Sequence, residues 1–247
     1  MHVEESGNQP KTQKIIFLGF LFFTCMVFVA LGVWQLYRLQ WKNALIEQVD
    51  QRVHASVVPA PSSDMWPGIS IASDEYRHVI ARGVFLYQDS VAVQASTELG
   101  PGFWLLTPLQ LKNGDIIYVN RGFIKSPHPY LDFDQSNQVQ PVAVTGLLRM
   151  GEPKGGFLHT NNPVLKRWYS RDVQALALSQ HLLKVAPFFI DAQEVLPLDQ
   201  RAPINPEGGE APVMGLTVIH FPNNHLVYAL TWFALAGMAL FAIAKPR

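Results

Sequence analysis

Cysteine is nearly absent from this chain, and its scarcity closes several doors. The single thiol, Cys25, rules out an internal disulfide, a CxxC redox pair, a thiolate copper site and a CxxCH haem attachment. Charge is also sparse. Asp, Glu, Lys and Arg make up 15% of the 247 residues, against about 25% in an ordinary soluble domain. The formal net charge is zero and the pI is near 7.1, so no electrostatic footprint for nucleic acid exists and no nucleic-acid partner is expected. No HExxH, no histidine pair at i, i+4 and no GxSxG elbow occurs. Gly155-Gly156 belongs to neither phosphate-loop pattern and reads as a turn. Asp132 and Asp134 sit in a Pro-rich loop and read as solvated. No catalytic residue is expected, and the chain is not read as an enzyme.

What the chain does have is two long apolar runs. From Leu226 to Ala244 it carries 19 uncharged residues, followed at once by Lys245 and Arg247. As a helix that run is about 28 Å long, close to the hydrocarbon thickness of a bilayer. Its only hydroxyl after Tyr228 is Thr231, so it lacks the polar stripe of a core helix. Ile15 to Tyr37 forms a second run, long enough to span with some tilt. Ala30-Leu31-Gly32 offers a cleavage-like site, but the run continues past it to Tyr37, so a retained anchor is expected. The lipid bilayer is therefore an expected partner. Lys245 and Arg247 place the C-terminus in the cytoplasm under the positive-inside rule, and two spans bring the N-terminus to the same side.

At the mouth of the second run stand His225, Tyr228 and Trp232, at i, i+3 and i+7 on one helical face. Two readings are open: an interfacial belt of amphipathic rings, or an imidazole placed to ligate a haem iron. After the first run, Trp34, Arg38, Trp41 and Leu45 share a face of a helix expected to continue to about Val49. That face is either a snorkelling anchor or a docking surface for another membrane protein.

Between the runs the pattern is of strands. Tyr76–Leu86 is rich in β-branched and aromatic residues, and Ser90–Ala95 is its expected partner across a short turn. Phe103–Leu111 and Asp115–Ile124 flank Lys112-Asn113-Gly114-Asp115, which predicts a hairpin with a type I′ turn. Val142–Met150 is interrupted by Gly146, a mark of a bulge or a close backbone approach. Ser170–Leu183 has helical periodicity, with Val173, Leu176, Leu178 and Leu182 apolar; Phe188–Val195 and Gly215–His220 read as late strands. Residues 55–73 and 197–212 read as linkers. The expected architecture is a membrane protein in which two transmembrane α-helices flank an antiparallel, β-rich α+β outer domain. Its parts are a cytoplasmic segment 1–14, a span 15–37, a helix extension 38–54, an outer domain 55–224, a span 225–244 and a tail 245–247.

Three segments together resemble the Surfeit locus protein 1 family: LGVWQLYRLQWK after the first run, GFWLLTPLQLKNGDIIYVNRGFI in the strand region, and NNHLVYALTWF opening the second run. Their order and spacing are similar to the family's from about residue 30 to 245, although Phe123 and Val227 stand where some members carry Trp and polar residues. The resemblance implies an assembly factor for haem-copper cytochrome c oxidase that helps place haem a in the catalytic subunit. Its membrane would be the bacterial inner membrane with a periplasmic outer domain, or alternatively the mitochondrial inner membrane. It carries the family's proposed haem-binding histidine onto His225 and the Trp seven residues on to Trp232, with Tyr228 between them. Haem a, held transiently, is then the implied cofactor. The oxidase catalytic subunit, docking on Trp34, Arg38 and Trp41, is the implied partner, with haem a synthase as a possible second. A scaffold that stabilises an assembly intermediate without binding haem is the alternative.

Overall fold

The computed structural model describes residues 11–128, 130–131, 140–153, 159–198, 211–216 and 221–245. Two units are present, Val49–Ile219 and the pair of segments Met1–Gln48 with His220–Arg247.

The first unit is built on seven strands: β1 (Val58–Pro59), β2 (His78–Phe85), β3 (Val91–Thr97), β4 (Gly100–Leu111), β5 (Ile116–Ile124), β6 (Pro141–Met150) and β7 (Val185–Pro197). Their order is β1-β2-β6-β7-β5-β4-β3, and a further pairing of β2 with β4 joins the two sides of the sheet. The five strands β2, β6, β7, β5 and β4 therefore form a closed barrel, with β1 and β3 as appended edges. Side chains at alternate positions fill its interior: Val79 and Ala81, Ile117 and Val119, Val142 and Val144, Phe188 and Ile190. Closure removes most of the unpaired edge that an open sheet would present. The opposite face of β5 and β7 presents Tyr118 and Phe189, and these are covered by Trp168, Val173 and Leu176. All nine residues of β5 are consequently buried.

Several expectations are corrected here. The sheet is mixed, not antiparallel, because β1 runs parallel to β2 and β7 parallel to β5. β6 runs opposite to both β5 and β7, so β7, entering the sheet between β6 and β5, lies parallel to β5. Val91–Thr97 pairs with β4, since β2 is already occupied by β6 and by the end of β4. Residues 55–73 are not a bare linker: they contain β1, a 3₁₀ turn at Trp66–Gly68 and the start of a short helix, α2 (Ile71–Asp74), capped by Ser70. Ala60, Trp66 and Ile69 pack on the barrel core, so this segment is held by burial despite its Pro and Ser content. The predicted helix over 170–183 shortens to α3 (Val173–Ser179), because His181 takes a left-handed φ of 57° that ends it. Leu178 is exposed, off the covered face.

The Lys112–Asp115 hairpin forms where expected, but with a different turn. Gly114 has φ +85°, Asn113 does not share a positive φ, and the Gly114 amide donates to Leu111 O at 3.0 Å. That geometry belongs to the three-residue loop that ends in a left-handed glycine, not to type I′. Gly146 behaves as expected: the β6–β7 register shifts beside it, and a Cβ there would lie 2.1 Å from Asp191 O. The expected strand Gly215–His220 lies largely outside the described residues, as do Asp132, Asp134, Gly155 and Gly156.

The second unit pairs two helices, α1 (Lys11–Val53) and α4 (His225–Ala244), and the last residues of α1 belong to the barrel unit. Both are long and apolar enough to cross a membrane. At 1.5 Å per residue, α1 is about 65 Å long and α4 about 30 Å. The seam on α1 runs through Cys25, Phe28, Gly32 and Gln35, a spacing that alternates three and four residues. Ala229, Ala236 and Ala239 are the buried positions of α4. Small residues let the backbones approach: a Cβ on Gly32 would lie 2.6 Å from the Phe233 ring. Outside the seam the apolar side chains are bare, with Ile15 and Phe241 each 70% exposed.

Candidate functional site

His225 is the first residue of α4, preceded by Asn223 and Asn224. Its backbone N–H points to Asn223 Oδ1 at 3.5 Å, and the Asn223 amide donates to Asn43 Oδ1 of α1 at 2.7 Å. The imidazole is half-buried against α1, and its Nδ1 lies 2.8 Å from Gln35 Oε1. Donor and acceptor roles follow the tautomer, and a bond to Gln35 Oε1 takes the Nδ1–H form, since a carbonyl oxygen only accepts. Nε2 makes no hydrogen bond to any described residue.

Trp232, two turns on, also faces α1, where its ring lies 5.7 Å from that of Phe28. Tyr228 turns away and is 54% exposed. The helix thus brings His225 and Trp232 onto one seam, and Tyr228 onto its flank. Below His225 the seam carries the Phe28–Trp232 ring pair and the close approach of Gly32 to the Phe233 ring. A porphyrin iron needs an axial donor and not a cage of ligands, and neutral imidazole with a free Nε2 is such a donor. The residues present fit that requirement. Among the described residues no group of three or more His, Cys, Asp or Glu could hold a bare metal ion.

Trp34, Arg38 and Trp41 lie on the side of α1 away from the seam. The Arg38 guanidinium sits 4.8 Å above the Trp41 ring, and the two indoles are 53% and 55% exposed. They form one contiguous aromatic and cationic strip. Leu45, assigned to the same face, is only half exposed.

The barrel holds a polar cluster that no motif signals. Asp191 on β7 accepts from Asn120 Nδ2 at 2.8 Å, Arg149 Nη1 at 3.2 Å and Arg171 Nη1 at 3.5 Å. Arg149 also donates to Glu75 at 2.7 Å, and Arg171 to Glu152 at 2.5 Å. Burial pushes the Glu152 carboxyl up, but hydrogen bonds and charge from Arg171 outweigh it and hold it below its ordinary range. Asp74 follows the same pattern, with Ser73 and Arg77 overcoming its burial. Burial, reinforced by the Asp89 charge, holds the Tyr118 hydroxyl protonated well above its ordinary range. These groups are saturated by one another, which marks them as structural. The charged members come from positions scattered between 75 and 191, so no local pattern could have announced them.

The model of the SURF1 family matches residues 22–237. The chain belongs to the SURF1 family. It is 30% identical to human Surfeit locus protein 1 over 227 residues, covering 84% of this chain and 69% of the relative. The rat protein of the same name is 30% identical over 235 residues, covering 88% and 71%. A SURF1-like protein of Monosiga brevicollis is 29% identical over 228 residues, covering 87% and 81%. Gln35 and His225 both lie within the stretch matched by the SURF1 family model. Sequence reasoning gave Gln35 no role. The signal was available, since Gln35 is a polar residue three positions after Gly32 and seven after Phe28, on the stripe that becomes the seam.

Proposed function

We propose that this chain is an assembly factor for haem-copper cytochrome c oxidase, anchored by two membrane spans, that holds haem a transiently on its way into the catalytic subunit. The observation that carries this reading is the state of His225: one ring nitrogen is engaged by Gln35 and the other has no partner among the described residues, at the start of an apolar helix. Membership of the SURF1 family supports it, because the resemblance to that family brought oxidase assembly into view. Bare apolar side chains along both helices support a bilayer setting, since such surface is unfavourable in water at about 25 cal/mol per Å². The membrane is the bacterial inner membrane, with the mitochondrial inner membrane as the alternative, and the outer domain faces away from the cytoplasm.

His225 Nε2 is the donor to iron, with Tyr228 and Trp232 as flanking rings. His225, Tyr228 and Trp232 would hold the haem, and it would supply an iron able to exchange ligands. The protein's part is to hold, orient and release, and this reading is not enzymatic. One neutral imidazole suits release, because a second strong protein ligand would slow transfer. Haem a synthase is the expected donor, and the oxidase catalytic subunit docks on Trp34, Arg38 and Trp41.

The test is the absorbance of full-length protein purified from cells that make haem a. Wild type is expected to carry haem, and His225→Ala to lose it while remaining folded and membrane-inserted. Trp232→Ala is expected to lower haem retention less, because packing is lost and no iron bond is. A His225→Ala protein with wild-type haem content sinks the reading. A second reading, a scaffold that never binds haem, is favoured by the exposed Trp34, Arg38, Trp41 strip. It gains if Arg38→Ala abolishes co-purification with the catalytic subunit while no preparation contains haem.

A further inference from the structure

We infer that Gln35 is the positioning residue of His225: its side-chain carbonyl takes the Nδ1 proton and thereby leaves the lone pair at Nε2. The inference rests on the reading of His225 as the iron ligand, and extends it to a residue on the other helix. A neutral imidazole has one proton and one lone pair, and which nitrogen carries the proton is decided by the hydrogen bond available to each. Here Nδ1 is 2.8 Å from Gln35 Oε1, whereas Nε2 meets no described partner. The carbonyl oxygen cannot donate, so a bond to Oε1 needs the Nδ1–H tautomer. That tautomer makes Nε2 the ligating atom.

Gln35 is itself held in place. Gly32, one turn earlier, lies against Phe233, and Phe28, two turns earlier, against Trp232. On the other side of the pair, the Asn43–Asn223 bond fixes the chain just before His225. The glutamine therefore acts from a braced position, and its bond also sets the plane of the imidazole ring. A partner of this kind raises the basicity of the ligand and is typically worth about 10–100-fold in affinity for the metal.

The experiment uses the full chain in detergent with ¹⁵N-labelled histidine. In the haem-free protein, the ring-nitrogen shifts of His225 are expected to report a protonated Nδ1. In Gln35→Leu they are expected to report a mixture or the Nε2–H form. Gln35→Glu, which keeps an acceptor at the same place, is expected to restore the Nδ1–H form. Haem a is then titrated into each protein. Gln35→Leu is expected to bind roughly 10–100-fold more weakly, with a shifted Soret band, and Gln35→Glu within a few-fold of wild type.

A residue that only joined the two helices would leave the tautomer and the Soret position unchanged, and that outcome overturns the inference. An Nε2–H tautomer in the wild-type protein also overturns it. Failure of the wild type to take up haem a, or equal uptake by His225→Ala, instead overturns the ligand reading. In that case the ring-nitrogen shifts still decide whether Gln35 sets the tautomer.

Discussion

The barrel and the helix pair both take polar groups out of water, and they settle them in opposite ways. In the barrel, Asp191 accepts from Asn120, Arg149 and Arg171, and these two arginines each hold a second carboxylate. In the helix pair, His225 engages one nitrogen, and the other has no partner among the described residues. A saturated cluster has nothing left to offer a ligand, whereas a braced group with one open valence does. The contrast separates architecture from availability without reference to any motif.

The comparison breaks most visibly if the barrel cluster is opened. Asp191→Ala removes the carboxylate that joins Arg149 and Arg171, which are only 16% and 13% exposed, and leaves each with one carboxylate, Glu75 or Glu152. Asn120, Arg149 and Arg171 each lose an acceptor, at about 1–3 kcal/mol for a buried group left unsatisfied, and the melting temperature of the full chain is expected to fall accordingly. A drop of less than about 1 kcal/mol means that the cluster is wetter than its geometry implies.

The seam of the helix pair is the next place to press. Gly32→Leu puts a side chain where a Cβ alone already lies 2.6 Å from the Phe233 ring. Overpacking of this kind costs about 1–3 kcal/mol, and crosslinking between cysteines placed on α1 and α4 is expected to decline. Unchanged crosslinking means that the ring swings aside and the seam is looser than it looks.

The smallest effect is a matter of pH. The folded-state values of Glu152 and Asp74 lie below their ordinary 4.5 and 3.8. Their contribution to stability is therefore complete above those ordinary values and fades as the pH falls through the lowered ones. Asp89 works the other way, because burial raises its value and its protonation favours the folded barrel. Asp64, lowered by its hydrogen bond from Ser62, sides with the first two, and the net expectation is a modest loss of thermal stability in acid. A melting temperature that stays flat from about pH 6 to about pH 3 contradicts it.

Much of this was legible in the residues alone, and the failures have physical causes. The apolar runs, the Lys112–Asp115 hairpin and the Gly146 irregularity are local features, written in composition and in single glycines. Strand partners were not legible: Ser90–Ala95 was assigned to its sequence neighbour, when closure of the barrel had already filled both sides of β2. Nor was the parallel β5–β7 pair, because nothing local shows that β7 enters the sheet between β6 and β5. At the site, His225 and Trp232 could be named from spacing, but Gln35 could not be given a role. Its significance depends on a contact across 190 positions of chain.

The order in which the strands leave the ribosome has a further consequence. β7 is the last strand of the barrel to be made, yet it lies between β6 and β5. Until residue 197 has emerged, the facing edges of β5 and β6 have no partner, and β5 is the strand whose every side chain is destined for burial. At 5–20 residues per second, synthesis from the end of β6 to the end of β7 takes roughly 2–9 s. For that interval the nascent domain presents open sheet edges and apolar surface, the features that invite mispairing. The barrel is therefore most vulnerable while it is still attached to the machinery that makes it.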